Sequence, residues 1–405
     1  MSTPEPASQT TLPPLRLRRN EERRLRAGHV WVFSNEVDVN RTPLTAFEPG
    51  EAVEVQDYRG RPLGSGYVNP HSLICARLVS RDRRHPWSAS LIAHRLNLAL
   101  SLRERLFETP FYRLVYGESD GLPGLVVDRF GDVLVAQITT AGMERVKPDI
   151  VAAIDKALRP RAVLLRNDNP IRALEQLPQY VETALGEPPE CVRLTELGVT
   201  FEAPLSQGQK TGWYFDQAAN RARLGDFVKD KRVLDVFSYV GAWGIQAAVR
   251  GAAFVTCIDE SQSALEYARR NADLNRVGGA VELCQGDGFE LLGQLHARGE
   301  RYDVVILDPP AFIKRKKDVR AGTRAYRRLN ELAMRILAKD AIMVSCSCSY
   351  HLTQAQLVAQ MQGAARHASR DMQILGFGGQ GPDHPVHPAI AETAYLKAVF
   401  ARLVA

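Results

Sequence analysis

Two of the six cysteines lie close together in the segment VSCSCSY, as Cys346 and Cys348 with one serine between them. Four interpretations compete: a metal clip, a redox pair, a buried strand of small residues, and a thiolate that does chemistry. In an extended strand, residues i and i+2 face the same side, with their Cα atoms about 6–7 Å apart. That spacing disfavours a disulfide in regular β conformation, and a Cys-x-Cys pair lacks the other ligands of a zinc site. No metal site is therefore expected.

Acidic side chains lie within or directly after four apolar segments. They are Asp235, Asp259, Glu260, Asp287 and Asp308. Helix capping explains any one of them, but not the repetition. Gly241 and Gly244 follow the first segment and would let a ligand approach the backbone. A G-x-G-x-x-G fingerprint is absent, and a phosphate-binding turn is not expected to be ringed with acids. A cationic ligand with ribose hydroxyls suits this site better, which favours S-adenosylmethionine over a dinucleotide.

The elements that must position these residues are apolar β segments that alternate with helical segments from about residue 191 onward. The segments are Val233–Phe237, Phe254–Asp259, Val281–Asp287, Tyr302–Asp308 and Ala341–Cys348. Two more apolar strands follow near the C terminus. This order is typical of an α/β, Rossmann-like, doubly wound sheet with mostly parallel strands. Ligands bind outside the carboxyl ends of such strands, so the acids are expected to line one cleft.

Three further regions precede this α/β domain of residues 191–405. Residues 1–14 are polar and proline-rich and predict a disordered tail. Residues 15–90 show short alternating strands between turn residues, the pattern of a small β-rich domain. Residues 91–190 predict an α+β domain, with a helix over Leu91–Phe107 and a hairpin over Leu125–Ile138 that turns at Gly131.

Composition is that of an ordinary globular protein, with 45% hydrophobic and 24% charged residues among 405. The net charge of +6 favours a polyanionic partner such as nucleic acid. The first residues have no apolar signal-peptide core, and no apolar run approaches 18 residues, so no membrane association is expected. Scattered cysteines in a chain of this length indicate reduced thiols and a cytoplasmic protein.

Five segments, in order, carry a resemblance to a known family: LDVFSYVGAWGIQAA, VTCIDES, GDGFELL, LDPPAF and VSCSCSYHLT. Together they resemble the ribosomal RNA large subunit methyltransferase I family, which makes 5-methylcytidine in 23S ribosomal RNA using S-adenosylmethionine. RAGHVWVFSNEV resembles that family's N-terminal PUA domain, and GESDGLPGLVVDRFGDVLVAQI resembles its central α+β domain. GQKTGWYFDQAANR resembles the segment before the first motif, and DHPVHP and AYLKAVFARL resemble the C-terminal end. The resemblance covers nearly the whole chain.

This resemblance implies a class I methyltransferase domain and its cofactor site. The cofactor-binding residues it implies are Tyr214, Asp216, Asp235, Phe237, Gly241, Asp259, Glu260, Asp287, Gly288 and Asp308. The implied partner is 23S ribosomal RNA or a large-subunit assembly intermediate, and a homodimer stays open. The chain departs from methyltransferases in general at Tyr239 and Trp243, where glycines often lie. The Asp308-Pro309-Pro310 motif also lacks the cysteine of two-cysteine RNA cytosine methyltransferases.

A cysteine is needed in this chemistry because C5 of cytosine is a poor nucleophile. Attack of a thiolate on C6 makes C5 enamine-like and splits one hard reaction into easier steps. Alignment with the family favours Cys348 as this nucleophile, whereas the V-S-C motif of RNA uracil-C5 methyltransferases favours Cys346. The alternatives for the whole chain are a uracil-C5 or other RNA methyltransferase and a non-catalytic RNA-binding assembly factor.

Asp308 is the second predicted catalytic residue, because its carboxylate could hold the N3–N4 edge of an unstacked cytosine; capping and a contact to the methyl donor are the alternatives. Phe312 could stack on that base or pack in the core. Basic runs follow Phe312 and lie near the N terminus. The predicted RNA contacts are Arg18, Arg19, Arg23, Lys314, Arg315, Lys316, Lys317 and Arg324. Such runs contact phosphates without reading sequence, or are solvated faces.

Overall fold

The computed structural model of the chain describes residues 12–206 and 208–404. Contacts divide these residues into two compact units. The first comprises the described residues up to 108, 113–188 and 386–391, and the second comprises 109–112, 189–385 and the described residues from 392. Most of the predicted domains 15–90 and 91–190 falls in one unit, and the boundary between them stays a prediction. Of the predicted tail, residues 1–11 lie outside the described residues, whereas Pro14 belongs to a strand.

The N-terminal sheet of the first unit has five strands and one short helix. They are β1 (Pro14–Arg16), α1 (Glu22–Arg26), β2 (Trp31–Val32), β3 (Glu51–Gln56), β4 (Pro62–Val68) and β5 (Ala76–Ser80). The strand order is β1-β3-β4-β5-β2, with β1 parallel to β3. The alternation in EAVEVQ buries Val53 and Val55 completely, because successive side chains of a strand face opposite sides. The β-rich prediction for this region is confirmed.

A second five-stranded sheet follows. Its elements are α2 (Ala89–Leu106), β6 (Phe111–Tyr116), β7 (Leu125–Phe130), β8 (Val133–Ile138), α3 (Ala141–Arg145), α4 (Lys147–Leu158), β9 (Ala162–Asn167) and β10 (Tyr180–Gly186). The strand order is β10-β9-β8-β7-β6. The predicted hairpin is present as β7 and β8, and Gly131 has the positive φ of 68° that its turn needs.

The second unit holds the remaining elements. They are β11 (Cys191–Glu196), β12 (Val199–Pro204), α5 (Ala218–Leu224), β13 (Arg232–Val236), α6 (Ala242–Val249), β14 (Phe254–Asp259), α7 (Gln262–Leu274), β15 (Val281–Gln285), α8 (Gly288–Ala297), β16 (Tyr302–Leu307), α9 (Val319–Ile336), β17 (Leu337–Ser347), α10 (Gln354–His367), β18 (Asp371–Gly378) and β19 (Lys397–Val404). Within residues 12–206 and 208–404, no helix is long and apolar enough to cross a membrane.

The large sheet of this unit has the order β15-β14-β13-β16-β17-β19-β18. Its first five strands are parallel, and β19 runs antiparallel to both of its neighbours. Residues Val233–Val236 of β13 are all buried, as expected for a central parallel strand covered by helices on both faces. The α/β, Rossmann-like prediction is therefore confirmed. The strand order reverses between β13 and β16, which opens a crevice beyond their carboxyl ends.

Candidate active site

A cavity of about 530 Å³ lies at this crevice. Its walls come from the ends of β13, β14 and β16, from Asp287 and Phe289 after β15, and from Cys348 after β17. The segment 209–217 and Tyr395 close another side. A cavity of this size is typical of small-molecule sites, and its position matches the sequence prediction of one cleft at the strand ends.

The turn between β13 and α6 is folded tightly over the end of β14. The N–H groups of Phe237 and Ser238 both donate to the carbonyl of Ile258, at 2.9 Å. Gly241 has a φ of 83° and directly precedes α6. A Cβ on Gly244 would lie 2.5 Å from Sγ of Cys257, so only glycine lets α6 approach β14 this closely. Cys257 is thus a packing residue beneath the turn.

Asp235 supports this turn from below and does not line the cavity. It is fully buried, and its Oδ2 accepts a hydrogen bond from the N–H of Gly244 at 2.9 Å. Among the described residues, no group donates to its Oδ1. Burial raises the pKa of Asp235 to about 7, although the hydrogen bond from Gly244 opposes the shift. Asp235 therefore acts on the cavity through the turn.

The substitution Asp235→Asn is expected to change how stability depends on pH. Because the pKa of Asp235 is higher in the folded state than its ordinary value of 3.8, protonation of this carboxyl favours folding. This contribution to stability is fully present below pH 3.8 and is lost as pH rises through about 7. The wild type should therefore lose about 4 kcal/mol, relative to the variant, between pH 4 and pH 8. Chemical denaturation of both proteins at several pH values measures this difference. Parallel curves for the two proteins would contradict the assignment.

Three further acids line the mouth of the cavity at the ends of β14 and β15. Asp259 is fixed by two backbone donors, the N–H of Tyr239 at 2.8 Å and that of Ser261 at 2.9 Å. Glu260 lies beside it, and Asp287 caps α8 by accepting from the N–H of Glu290 at 2.9 Å. Capping and cavity lining are therefore not alternatives for Asp287, because the residue does both.

Asp308, at the end of β16, is held at both carboxylate oxygens. Nε2 of Gln217 donates to Oδ1 at 2.9 Å, and Nε1 of Trp243 donates to Oδ2 at 3.0 Å. Burial raises the pKa of Asp308 to about 6, the bond from Trp243 lowers it, and the charge of Asp216 raises it. Trp243 occupies a position where methyltransferases often have glycine, and its indole N–H donates a hydrogen bond to Asp308 at the end of the neighbouring strand. Sequence reasoning missed this role and that of Gln217.

The segment 209–217 forms a wall through a set of buried polar contacts. Arg221 pairs with Glu196 at 2.6 Å and donates to the carbonyl of Tyr214 at 2.8 Å. Asp216 accepts from the hydroxyl of Tyr395 at 2.5 Å. Nζ of Lys210 lies over the ring of Tyr214, 4.6 Å from the ring centroid. Tyr395 was missed as a wall residue because nothing in AYLKAVFARL distinguishes a cavity tyrosine from a strand tyrosine.

Comparison with known proteins assigns this architecture. A model of PUA-like domains matches residues 15–81, and a model of S-adenosylmethionine-dependent methyltransferases matches residues 173–402. The ribosomal RNA large subunit methyltransferase I of Klebsiella pneumoniae is 34% identical over 402 residues, covering 98% of this chain and 100% of the relative. The chain belongs to the ribosomal RNA large subunit methyltransferase I family. The protein of the same name from Salmonella arizonae is 34% identical over 397 residues, 97% of this chain and 98% of its own.

The solved structure of SMU.776, complexed with SAH, supports the fold of this family member. It superposes with a TM-score of 0.82 at 20% identity and covers 96% of this chain and 100% of that chain. The family resemblance, the α/β fold, the PUA-like domain and the use of S-adenosylmethionine, all predicted from sequence, are thereby confirmed.

The cavity of this methyltransferase fits its cofactor by the chemistry of its walls. Acids suit a sulfonium and ribose hydroxyls, and the apolar rings of Phe237 and Phe289 suit an adenine. A Cβ on Gly288 would lie 2.9 Å from the ring of Phe237, so glycine is needed there for that ring to reach its place. The predicted cofactor residues that line the cavity are Tyr214, Asp216, Phe237, Asp259, Glu260, Asp287 and Asp308. Asp235, Gly241 and Gly288 lie behind the lining and shape it.

The two cysteines occupy different environments. Cys346 lies within β17, opposite Ala398 of β19, and is fully buried. Cys348 follows the end of β17, lines the cavity, and has its Sγ 4.0 Å from the carbonyl oxygen of Pro309. Burial raises the pKa of the Cys348 thiol, and the charge of Lys210 opposes that shift. Cys348 is thus the cysteine beside the Asp308-Pro309-Pro310 segment.

The predicted RNA contacts are all at the surface. Lys314–Lys317 and Arg324 are exposed, and Phe312, two residues before Lys314, lines the cavity and packs on Tyr326 with ring centroids 4.8 Å apart. In the first unit, Arg18, Arg19 and Arg23 are exposed. Among the residues 12–206 and 208–404, no group of three or more histidine, cysteine or acidic side chains is arranged to hold a metal ion.

Proposed function

We propose that this family member methylates C5 of a cytosine in large-subunit ribosomal RNA, with Cys348 as the attacking nucleophile. The observation that carries the proposal is the position of Cys348 in the cavity, with Sγ 4.0 Å from the carbonyl of Pro309, while Cys346 is sealed inside β17. The names of the relatives support the choice of RNA. S-adenosylmethionine, when bound, supplies an electrophilic methyl group.

The residues of the chain would divide the chemistry as follows. The thiolate of Cys348 adds to C6, which makes C5 the nucleophile that methylation needs. Electrons pushed toward N3 in this addition are neutralised by a proton that N3 takes from solvent. Asp308, held by Gln217 and Trp243, would accept hydrogen bonds from N3–H and N4–H and so stabilise the positive charge that the N3–C4–N4 amidine gains when C5 takes the methyl group. The C5 proton and the N3 proton then pass to solvent as the C6–Sγ bond breaks, which restores the aromatic ring and the free thiolate. The base must leave its stack to reach the cavity.

The acids beside Cys348 favour cytosine over uracil. Cytosine presents an amino group at position 4, whereas uracil presents a carbonyl oxygen there. Asp308 and Asp216 both lie in the cavity wall and both raise the pKa of Cys348 through their charge. A carboxylate can accept a hydrogen bond from the amino group of cytosine. It cannot form one with the carbonyl oxygen of uracil, because both groups are acceptors and repel each other. Uracil-C5 methylation is therefore the second candidate.

Mapping the methylated nucleotide tests this proposal. The protein is incubated with isotopically labelled S-adenosylmethionine and with either naked 23S ribosomal RNA or large-subunit assembly intermediates. Digestion and mass spectrometry should then place the label in 5-methylcytidine. Label in 5-methyluridine would overturn the choice of base. Absence of label from every RNA form would instead favour a non-catalytic RNA-binding assembly factor.

The six free cysteines suit a cytoplasmic enzyme.

The exposed lysines after Phe312 are expected to bind RNA phosphates. Replacing Lys314, Lys316 and Lys317 by alanine should weaken RNA binding. It should also flatten the plot of the logarithm of the binding constant against the logarithm of salt concentration, with the magnitude of the slope falling by about 0.7 for each phosphate that is no longer neutralised. Filter binding at several salt concentrations measures both effects. A matched control replaces three exposed lysines near the amino-terminal ends of β13 and β17, away from the cavity. They are Lys229, Lys231 and Lys339, each replaced by alanine. Equal weakening in both variants would show that only net charge matters.

A further inference from the structure

Lys397 is a buried lysine in the wall behind Cys348. It begins β19, and its backbone lies opposite Ser347 of β17. The residue is 8% exposed, and Nζ donates to the carbonyl oxygens of Ser349 at 2.6 Å and Tyr395 at 2.7 Å. Both acceptors are neutral, and in the described parts of the chain no carboxylate forms an ion pair with this ammonium within 4.0 Å.

An ammonium buried without a counter-charge is costly, because it has lost water and gained no anion. Burial accordingly lowers the pKa of Lys397 to about 8, and the charge of Cys348 opposes that shift. Lys397 is therefore mostly protonated at neutral pH. The titratable group that would complete its pairing is the thiol of Cys348, whose neighbouring carbonyl, on Ser349, already accepts from Nζ.

The other charged and titratable groups around Cys348 do not supply this pairing. Asp308 after β16 and Asp216 on the segment 209–217 both disfavour a thiolate. The hydroxyls of Tyr214 and Tyr326 are uncharged at neutral pH, since burial raises the pKa of each. Lys210 favours the thiolate, but its side chain is exposed, so solvent and salt screen its charge. Lys397 is buried, so solvent and salt screen its charge less than that of Lys210.

We propose that Lys397 is a positioning residue that stabilises the thiolate of Cys348, the thiol proton passing to solvent. The proposal rests on the function proposed above, in which that thiolate attacks the base. Lys397 would act in two ways at once. Its charge lowers the free energy of the thiolate, and its hydrogen bond to the carbonyl of Ser349 holds the backbone directly after Cys348, while the bond to Tyr395 fixes the ammonium.

The pH dependence of thiol alkylation tests this role without RNA or methyl donor. The full-length protein is treated with iodoacetamide at a series of pH values in 0.5 M salt, and peptide mass spectrometry follows Cys348, with Cys284 as internal reference. The substitution Lys397→Met should move the midpoint for Cys348 upward by about one pH unit, which means about tenfold slower alkylation at pH 7.5. Methyl transfer should slow by a similar factor at pH 7.5 and recover at higher pH.

Two further variants separate charge from structure. Lys397→Gln keeps an N–H donor but loses the charge, and it should show the same upward shift even if Lys397→Met fails to fold. Lys210→Met removes the exposed lysine and should leave the midpoint nearly unchanged at this salt concentration. Unshifted profiles in folded Lys397 variants, or a shift with Lys210→Met alone, would overturn the proposal. Retained methyl transfer in Cys348→Ala would instead overturn the proposed function, whatever the alkylation profile.

Discussion

The variant Cys348→Ala is expected to lose methyl transfer by about a thousandfold or more while still binding S-adenosylmethionine. Without the thiolate there is no adduct at C6, and C5 of cytosine stays a poor nucleophile. The side chain lies on one wall of a cavity of about 530 Å³, so its removal leaves the acids around the cofactor region in place. Single-turnover transfer of labelled methyl to RNA measures the loss, and calorimetric titration measures the affinity for the cofactor.

The matched control is Cys346→Ala, two residues earlier on β17. Because Cys346 is fully buried and does not line the cavity, its truncation should lower the free energy of unfolding by about 1 kcal/mol and leave transfer within a few-fold of wild type. An RNA carrying 5-fluorocytidine should form a covalent adduct with the wild type and with Cys346→Ala, but not with Cys348→Ala. The reverse pattern would assign the nucleophile to Cys346.

Cys346 and Cys348 show which features of the site could be predicted from the sequence alone. Strand geometry correctly indicated that a pair at i and i+2 would not be a disulfide, and all six cysteines are free. It could not say which one lies at the strand tip, because that depends on a boundary of one or two residues. The predicted strand extended to Cys348, whereas β17 ends at Ser347. That single residue places Cys348 in the loop that faces the cavity.

The order of the sheet was predictable, but the partners of its acids were not. Alternating apolar strands and helices predict a doubly wound sheet, and acids at strand ends then share one edge. The donors that hold Asp308 lie 91 and 65 residues away in the chain, and the tyrosine that holds Asp216 lies 179 residues away. Such contacts depend on the packing of loops, for which the sequence has no local periodicity. Trp243 therefore looked anomalous until its indole N–H was seen to serve Asp308.

Asp308→Asn is expected to reduce transfer by about a hundredfold or more, the second largest effect after loss of the thiol. Both oxygens of Asp308 accept hydrogen bonds, from Gln217 and from Trp243. An amide must turn its N–H₂ group toward one of these donors, which loses that bond and the negative charge together. If Asp308 contacts the base, the affinity for S-adenosylmethionine should change less than about threefold while the rate of transfer falls. A large loss of cofactor affinity would instead place Asp308 against the methyl donor.

The pH profile gives this prediction a second, independent readout. With a pKa of about 6, Asp308 becomes protonated as pH falls below that value, so wild-type transfer should decline on the acid side. Asp308→Asn has no such group and should lose this acid limb, while keeping the rise at higher pH that belongs to the thiol. Asp287→Asn is the matched control, since Asp287 also lines the cavity but caps α8, and its profile should keep the acid limb. An acid limb that persists in Asp308→Asn would assign the titration to another carboxyl in the cavity.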